Sequence, residues 1–260
     1  MNQDNYKYSK DLGNYSRTAE VTGGERSAAE ASRTFMNRVY NWMTVGLAVT
    51  GIVAWLLYQY MLETKPMLDS AGNLYGGSIF WSPGFMLVMV LVELGLVFWL
   101  SLGINKMSPG VAGFCFLLYA AISGVTLSPI FMVYTQSAIS AAFFTCAGTF
   151  AVTSIFGYLT RMDLSGIGSF CMMGLFGLII ASLVNMFLKN AGFDRFLTYI
   201  GVIIFVGLTA WDTQRLKQMG SQMSETGEMY QKYAIIGALV LYLDFINLFI
   251  MLLKLFGRRD

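Results

Sequence analysis

Histidine is absent from the 260 residues. Every mechanism built on an imidazole is therefore excluded, among them the Ser-His-Asp triad, the Cys-His pair, haem held by histidine and the common zinc sites. Charge is scarce as well: 12% of the residues are Asp, Glu, Lys or Arg, where an ordinary water-soluble domain carries about 25%. The net charge is +2 and the basic residues are scattered, so neither a nucleic-acid groove nor a polybasic stripe is expected. The three cysteines, Cys115, Cys146 and Cys171, lie in separate apolar stretches without C-x-x-C spacing. That pattern argues against a metal or redox motif and against a disulfide framework, and reads as small apolar filler. The N-terminus opens polar, MNQDNYKYSKD, with no short apolar region and cleavage site, so no removable signal peptide is expected.

What the chain has is apolar bulk. Hydrophobic residues make up 56% of it and its mean hydropathy is +0.58, which points to a bilayer. A helix needs about 20 apolar residues to cross the hydrocarbon core. Seven stretches qualify, near 40–62, 84–104, 111–133, 138–160, 166–188, 196–214 and 233–256. The expected fold is an all-α polytopic membrane protein, with an N-terminal tail over 1–38 and a seven-helix domain over 39–260. Turn chemistry separates the spans: Pro66 with Gly72, Gly76 and Gly77; Ser108-Pro109-Gly110; Asp163 and Gly166; Asn190 and Gly192; and a polar run from Arg215 to Lys232. Neither an internal repeat nor a second soluble domain is evident.

Short cytoplasmic loops retain Lys and Arg. The side of the N-terminus holds eleven of them and the opposite side six, three of which, Lys254, Arg258 and Arg259, belong to the very C-terminus. The N-terminus is therefore assigned to the cytoplasm. Seven full crossings leave the C-terminus outside, whereas a re-entrant last segment returns it, and charge counting slightly favours the return. Residues 1–26 mix both charge signs with Gly, Ser, Asn and Tyr and show no apolar period, which reads as a disordered tail. Ser27 and Glu30 have capping-box spacing, so a helix is expected to start there and to run through Phe35, Met36 and Tyr40 into the first span. It is either a membrane-surface docking helix or simply the first turns of that span.

Acids inside the spans are the informative residues, since a carboxylate at the centre of a membrane helix costs at least about 2.5–3.5 kcal/mol. There are three: Glu93 midway along the second span, Asp212 near the end of the sixth and Asp244 midway along the seventh. Each must face the bundle interior or a water-filled cavity. The sixth and seventh spans are consecutive and antiparallel, and Asp212 and Asp244 reach similar depths if helix continues beyond Arg215. Spacing permits a facing carboxylate pair without forcing it. Such a pair would share a proton and titrate in two coupled steps, forming a pH-sensitive latch that, once ionised, attracts a hard cation such as Ca²⁺. Asn247 lies one turn from Asp244, and Tyr242, Thr209, Thr213 and Gln214 add oxygens nearby. With two carboxylates, weak hydrated Ca²⁺ binding is expected rather than a dry cage of six to eight oxygens. The competing reading makes the acids protonated glue between helices, hydrogen-bonded to Asn247, Ser or backbone carbonyls.

Small residues mark expected close approaches: Ala120, Gly124 and Ser128 in the third span, and Gly177, Ala181 and Asn185 in the fifth. Pro129 should kink the third span, as a hinge or as a tolerated bend.

Three motifs, SGVTLSPIF at 123–131, WDTQRLK at 211–217 and LYLDFINLFIMLLKLFG at 241–257, resemble the transmembrane Bax inhibitor motif family in its bacterial branch, and the resemblance covers all seven spans. It implies a last helix that is central and wrapped by the other six. It further implies a cation leak, chiefly for Ca²⁺, controlled by a pH-sensing aspartate pair that matches Asp212 and Asp244, with Glu93 matching the acid of the second helix. Where relatives carry a basic residue after the FW pair of that helix, this chain reads Trp99-Leu100-Ser101. Lys106, Arg215 and Lys217 are the candidate replacements.

The reading is non-enzymatic: a pH-sensitive calcium leak or sensor of the bacterial cytoplasmic membrane, with Asp212 and Asp244 as gating pair and metal ligands and no organic cofactor. Two membrane aspartates also suit an intramembrane aspartyl protease, but the GxGD sequence of such proteases is replaced by Tyr242-Leu243-Asp244. A proton-coupled transporter is disfavoured by the lack of paired broken helices. The remaining alternative, again by family resemblance, is an interaction protein that modulates a membrane-bound quality-control protease.

Overall fold

The computed structural model describes residues 3–64, 67–68, 74–75, 79–223 and 227–257, with side chains for these apart from 3–27, 67–68, 74–75, 81 and 83. Its helices are α1 (Gln3–Glu63), α2 (Pro83–Gly103), α3 (Pro109–Leu127), α4 (Ile130–Val133), α5 (Gln136–Leu159), α6 (Ser165–Leu188), α7 (Ala191–Gln222) and α8 (Glu228–Phe256). A two-residue hairpin, β1 (Met67–Leu68) with β2 (Leu74–Tyr75), lies between α1 and α2. Seven helical segments are long and apolar enough to cross a membrane, as the sequence predicts, with α3 and α4 together forming the third.

α8 is the axis. Of its most apolar stretch 56% is buried, against 11–33% in the other six spans. It packs principally against α1, α3, α5 and α7, while α2 reaches the core through α3 and α6 through α7. The outer faces carry exposed large apolar side chains such as Leu102, Phe144 and Phe187, an apolar belt that only lipid would cover at this extent.

Backbones touch where a side chain is missing. A Cβ at Gly124 would sit 2.7 Å from the carbonyl oxygen of Thr50, and Ala120 above it is fully buried, so the small stripe of the third span does seat α1 on α3. The stripe expected in the fifth span is different: a Cβ at Gly177 meets nothing within 4 Å, whereas Gly168 lies against the Trp211 ring and Gly174 against Ile204. Asn185 is nonetheless buried and Ala181 packs against the core, so the stripe is met in part, with the closest approaches of α6 to α7 at Gly168 and Gly174. Pro129 breaks the third span outright, because it lacks an N–H. α3 ends at Leu127, Ser128 donates its N–H to Val125 at 3.3 Å, and α4 resumes at Ile130.

The polar run from Arg215 to Lys232 is mostly helix: α7 continues to Gln222 and α8 starts at Glu228. Leu216 and Gly220 are buried there, a Cβ at Gly220 would meet Phe35 at 2.8 Å, and Ser32 donates to the Lys217 carbonyl at 3.1 Å. Polarity that excludes a segment from lipid does not exclude it from a helix packed on another helix. In the N-terminal region the backbone is helical from Gln3, which departs from the expected disorder over 1–26; no proline interrupts the chain before Pro66. The side chains on which the tail and Ser27 cap readings rest, and the loop residues Pro66, Gly72, Gly76 and Gly77, lie outside those described.

Candidate functional site

Asp212 on α7 and Asp244 on α8 are 7% and 5% exposed, and Asp244 lies close enough to Asp212 to feel its charge. α7 continues beyond Arg215 to Gln222, and α8 begins at Glu228. Neither carboxylate has a hydrogen bond or ion pair among the described residues, and the Oδ2 of Asp244 is a buried acceptor without a partner. A buried polar atom left unpaired costs about 1–3 kcal/mol, so it marks a place where a proton, water or cation has something to gain.

The oxygens that surround the pair in sequence are engaged elsewhere. Thr209 donates to the carbonyl of Phe205 at 2.7 Å, Asn247 to that of Leu243 at 2.8 Å, and Tyr242 pairs with Thr50 at 2.7 Å. Gln214 clamps the α5–α6 loop, accepting from the Leu164 N–H at 2.9 Å and donating to the Met162 carbonyl at 2.7 Å. Asn247 thus does not serve as the hydrogen-bonding glue for Asp244. Among the described residues no three acidic or cysteine side chains converge on a point.

Of the three candidate bases, Arg215 is the one whose charge reaches Asp212; it is exposed and its guanidinium stacks 5.4 Å from the Trp211 ring centre. Lys217 is occupied, donating to the Tyr158 carbonyl at 2.7 Å over the ring of that residue. Lys106 is exposed and has no ion pair among the described residues.

Glu93 forms a separate centre. Its Oε1 accepts from Thr126 at 2.8 Å, and its charge reaches Tyr119 and Tyr242, whose rings pack edge to face at 5.7 Å. No hydrogen bond or ion pair joins it to either aspartate among the described residues. Thr126 falls inside the SGVTLSPIF motif, which was the available signal.

One group of residues went unread in the sequence. Tyr40 pairs with Ser154, and Ser154 with Thr213 at 3.0 Å, linking α1, α5 and α7 through three hydroxyls. This chain starts at a cavity of about 540 Å³ lined by Arg33, Asn37, Tyr40, Ser154 and Tyr158 and ends at the residue following Asp212. Ordinary Ser, Thr and Tyr spacing carries no mark of such a meeting.

With this geometry in place, comparison with known proteins identifies the family. Residues 32–260 match the family described as "Inhibitor of apoptosis-promoting Bax1". The chain belongs to that family. It is similar to the inner membrane protein YbhL of Escherichia coli K12, 46% identical over 229 residues that cover 87% of this chain and 92% of the relative. An uncharacterized protein of Borreliella burgdorferi is 40% identical over 225 residues, covering 86% and 92% respectively. The uncharacterized protein RP147 of Rickettsia prowazekii is 36% identical over 245 residues, covering 94% and 98%. Family, relatives and the seven apolar helices together make this a multi-pass bacterial membrane protein embedded in lipid.

Proposed function

We propose that the protein is a pH-sensitive calcium leak or sensor of the bacterial cytoplasmic membrane, not an enzyme, with its N-terminus in the cytoplasm. The observation that carries this reading is the buried, mutually sensed pair Asp212 and Asp244, on neighbouring helices, with the Oδ2 of Asp244 left without a partner. Two carboxylates this close cannot ionise independently, because the second charge forms against the first in a medium that screens poorly. Protonation of the pair favours the closed bundle. Deprotonation creates repulsion that separates α7 from α8 and supplies the negative field that draws a hydrated Ca²⁺ toward the cytoplasmic side. The cation is cargo, bound weakly enough to leave. Arg215, close to Asp212, tunes the pair in place of the family's second-helix base.

Calcium entry into liposomes containing the purified protein, followed from pH 5 to 8, tests this. Flux that varies with pH in wild type and not in the Asp212→Asn/Asp244→Asn variant is the expected result. Folded protein that gives no more flux than empty liposomes at any pH overturns conduction and favours the interaction-protein alternative.

A further inference from the structure

On the membrane face where α6 and α8 end and α7 begins, the structure contains a second cavity, of about 700 Å³, far from the aspartates along both α7 and α8. Its charged lining is Lys189, Arg195, Lys254 and Asp194. Asp194 is paired with Lys254 at 3.6 Å, which leaves Lys189 and Arg195 exposed and without an ion pair among the described residues. Asn185 and Asn190 complete the polar wall; the Oδ1 of Asn185 accepts from the Asn190 N–H at 3.2 Å and that of Asn190 from the Phe193 N–H at 3.0 Å. Beyond those contacts each amide still offers its N–H donors.

Lys189 is also the single non-glycine residue with positive φ among those described, at 51°. Glycine or asparagine normally holds that left-handed position at a helix end, where a branched or long side chain gains nothing conformationally. A lysine there places its ammonium at the cavity wall. Ammonium, guanidinium and amide N–H are all donors, and the level is that of the bilayer headgroups, since three spans begin or end there.

We infer that this cavity binds a phosphate group, and specifically the phosphodiester of an anionic phospholipid headgroup, held by Arg195 in a two-toothed contact and by Lys189 as a point charge. A bound headgroup would tie α6, α7 and α8 together at the end remote from the aspartate pair. The inference stands whether or not the protein conducts calcium.

Native mass spectrometry of the full chain, titrated with phosphatidylglycerol, with phosphatidylcholine and with inorganic phosphate, tests it. Phosphatidylglycerol should bind saturably and in preference to phosphatidylcholine, and Lys189→Gln/Arg195→Gln should weaken it by about tenfold or more. Lys106→Gln, at the opposite face, should leave it unchanged. Displacement of the lipid by millimolar inorganic phosphate supports a phosphate site open to the free anion; persistence of the lipid supports the headgroup as the source. Should the double variant fail to fold, Arg195→Gln alone, at an exposed position near the start of α7, carries the same comparison. Equal binding of phosphatidylglycerol by wild type and folded variant, or equal binding of the two lipids, overturns the assignment.

Discussion

Tyr242 and Asp244 stand two residues apart on α8 and so point about 200° apart around its axis. Tyr242 turns to α1 and α3, pairing with Thr50 at 2.7 Å and packing its ring on Phe116 and Tyr119. Asp244 turns to Asp212 on α7. The central helix therefore keeps two polar centres apart, one built on Glu93 and one on the aspartates.

This separation makes Tyr242→Phe a discriminating change. Thr50 has one hydroxyl proton and two carbonyls in reach, Ala120 at 2.8 Å and Gly46 at 3.0 Å, so Tyr242 is the donor in their contact. Deleting it should destabilise the bundle by about 1 kcal/mol, read by thermal unfolding in detergent, and leave the pH profile of calcium flux where it is in wild type.

Glycines separate close packing from idle space. At Gly157 a Cβ would collide with the Ala210 carbonyl, whereas at Gly177 it would meet nothing within 4 Å. Gly157→Ala should cost about 1–3 kcal/mol through overpacking, while Gly177→Ala should be neutral or stabilising by up to about 1 kcal/mol from helix propensity. Unfolding temperatures of the two variants give the comparison, and the opposite order would place the α5–α7 contact elsewhere.

Asp163, exposed in the loop before α6, accepts from the N–H of Ser165 at 2.9 Å, and hydrogen bonds from the side chain and backbone of Ser165 hold its carboxyl below the ordinary range. A depressed folded value means a stabilising contribution that is present above the unfolded aspartate value, about 3.9, and is lost as pH falls through the folded one. Asp163→Ala should therefore unfold earlier than wild type at pH 7, with the gap closing in strong acid. A gap that persists unchanged there would show that the carboxylate charge is not what acts.

Arg215 and Lys106 separate the candidate bases. Only the former reaches Asp212 electrostatically, so Arg215→Gln should displace the pH midpoint of flux and Lys106→Gln should not. Because Arg215 is exposed, the displacement should shrink at high salt.

The spans and their three acids were legible from hydropathy alone, because a bilayer demands long apolar runs and penalises each carboxylate within them. The full length of α7 was harder to read. Leu216, Met219, Gly220 and Met223 do recur at helical spacing, but the polar residues between them, Lys217, Gln218, Ser221 and Gln222, resemble a loop. Partners were the least legible part. Glu93 meets Thr126 across 33 positions and Ser154 meets Thr213 across 59, separations fixed by how α2 leans on α3 and α5 on α7. Lys217, a plausible base by its distance from Asp212 in sequence, is turned away by the Tyr158 carbonyl.

The central claim is that Asp212 and Asp244 act as one titrating unit, and the most direct test compares each single Asp→Asn variant with the double in the calcium flux assay from pH 5 to 8. A shared proton predicts strong non-additivity: either single substitution abolishes the pH response as fully as both together. Folded single variants that keep the wild-type pH profile would contradict the account.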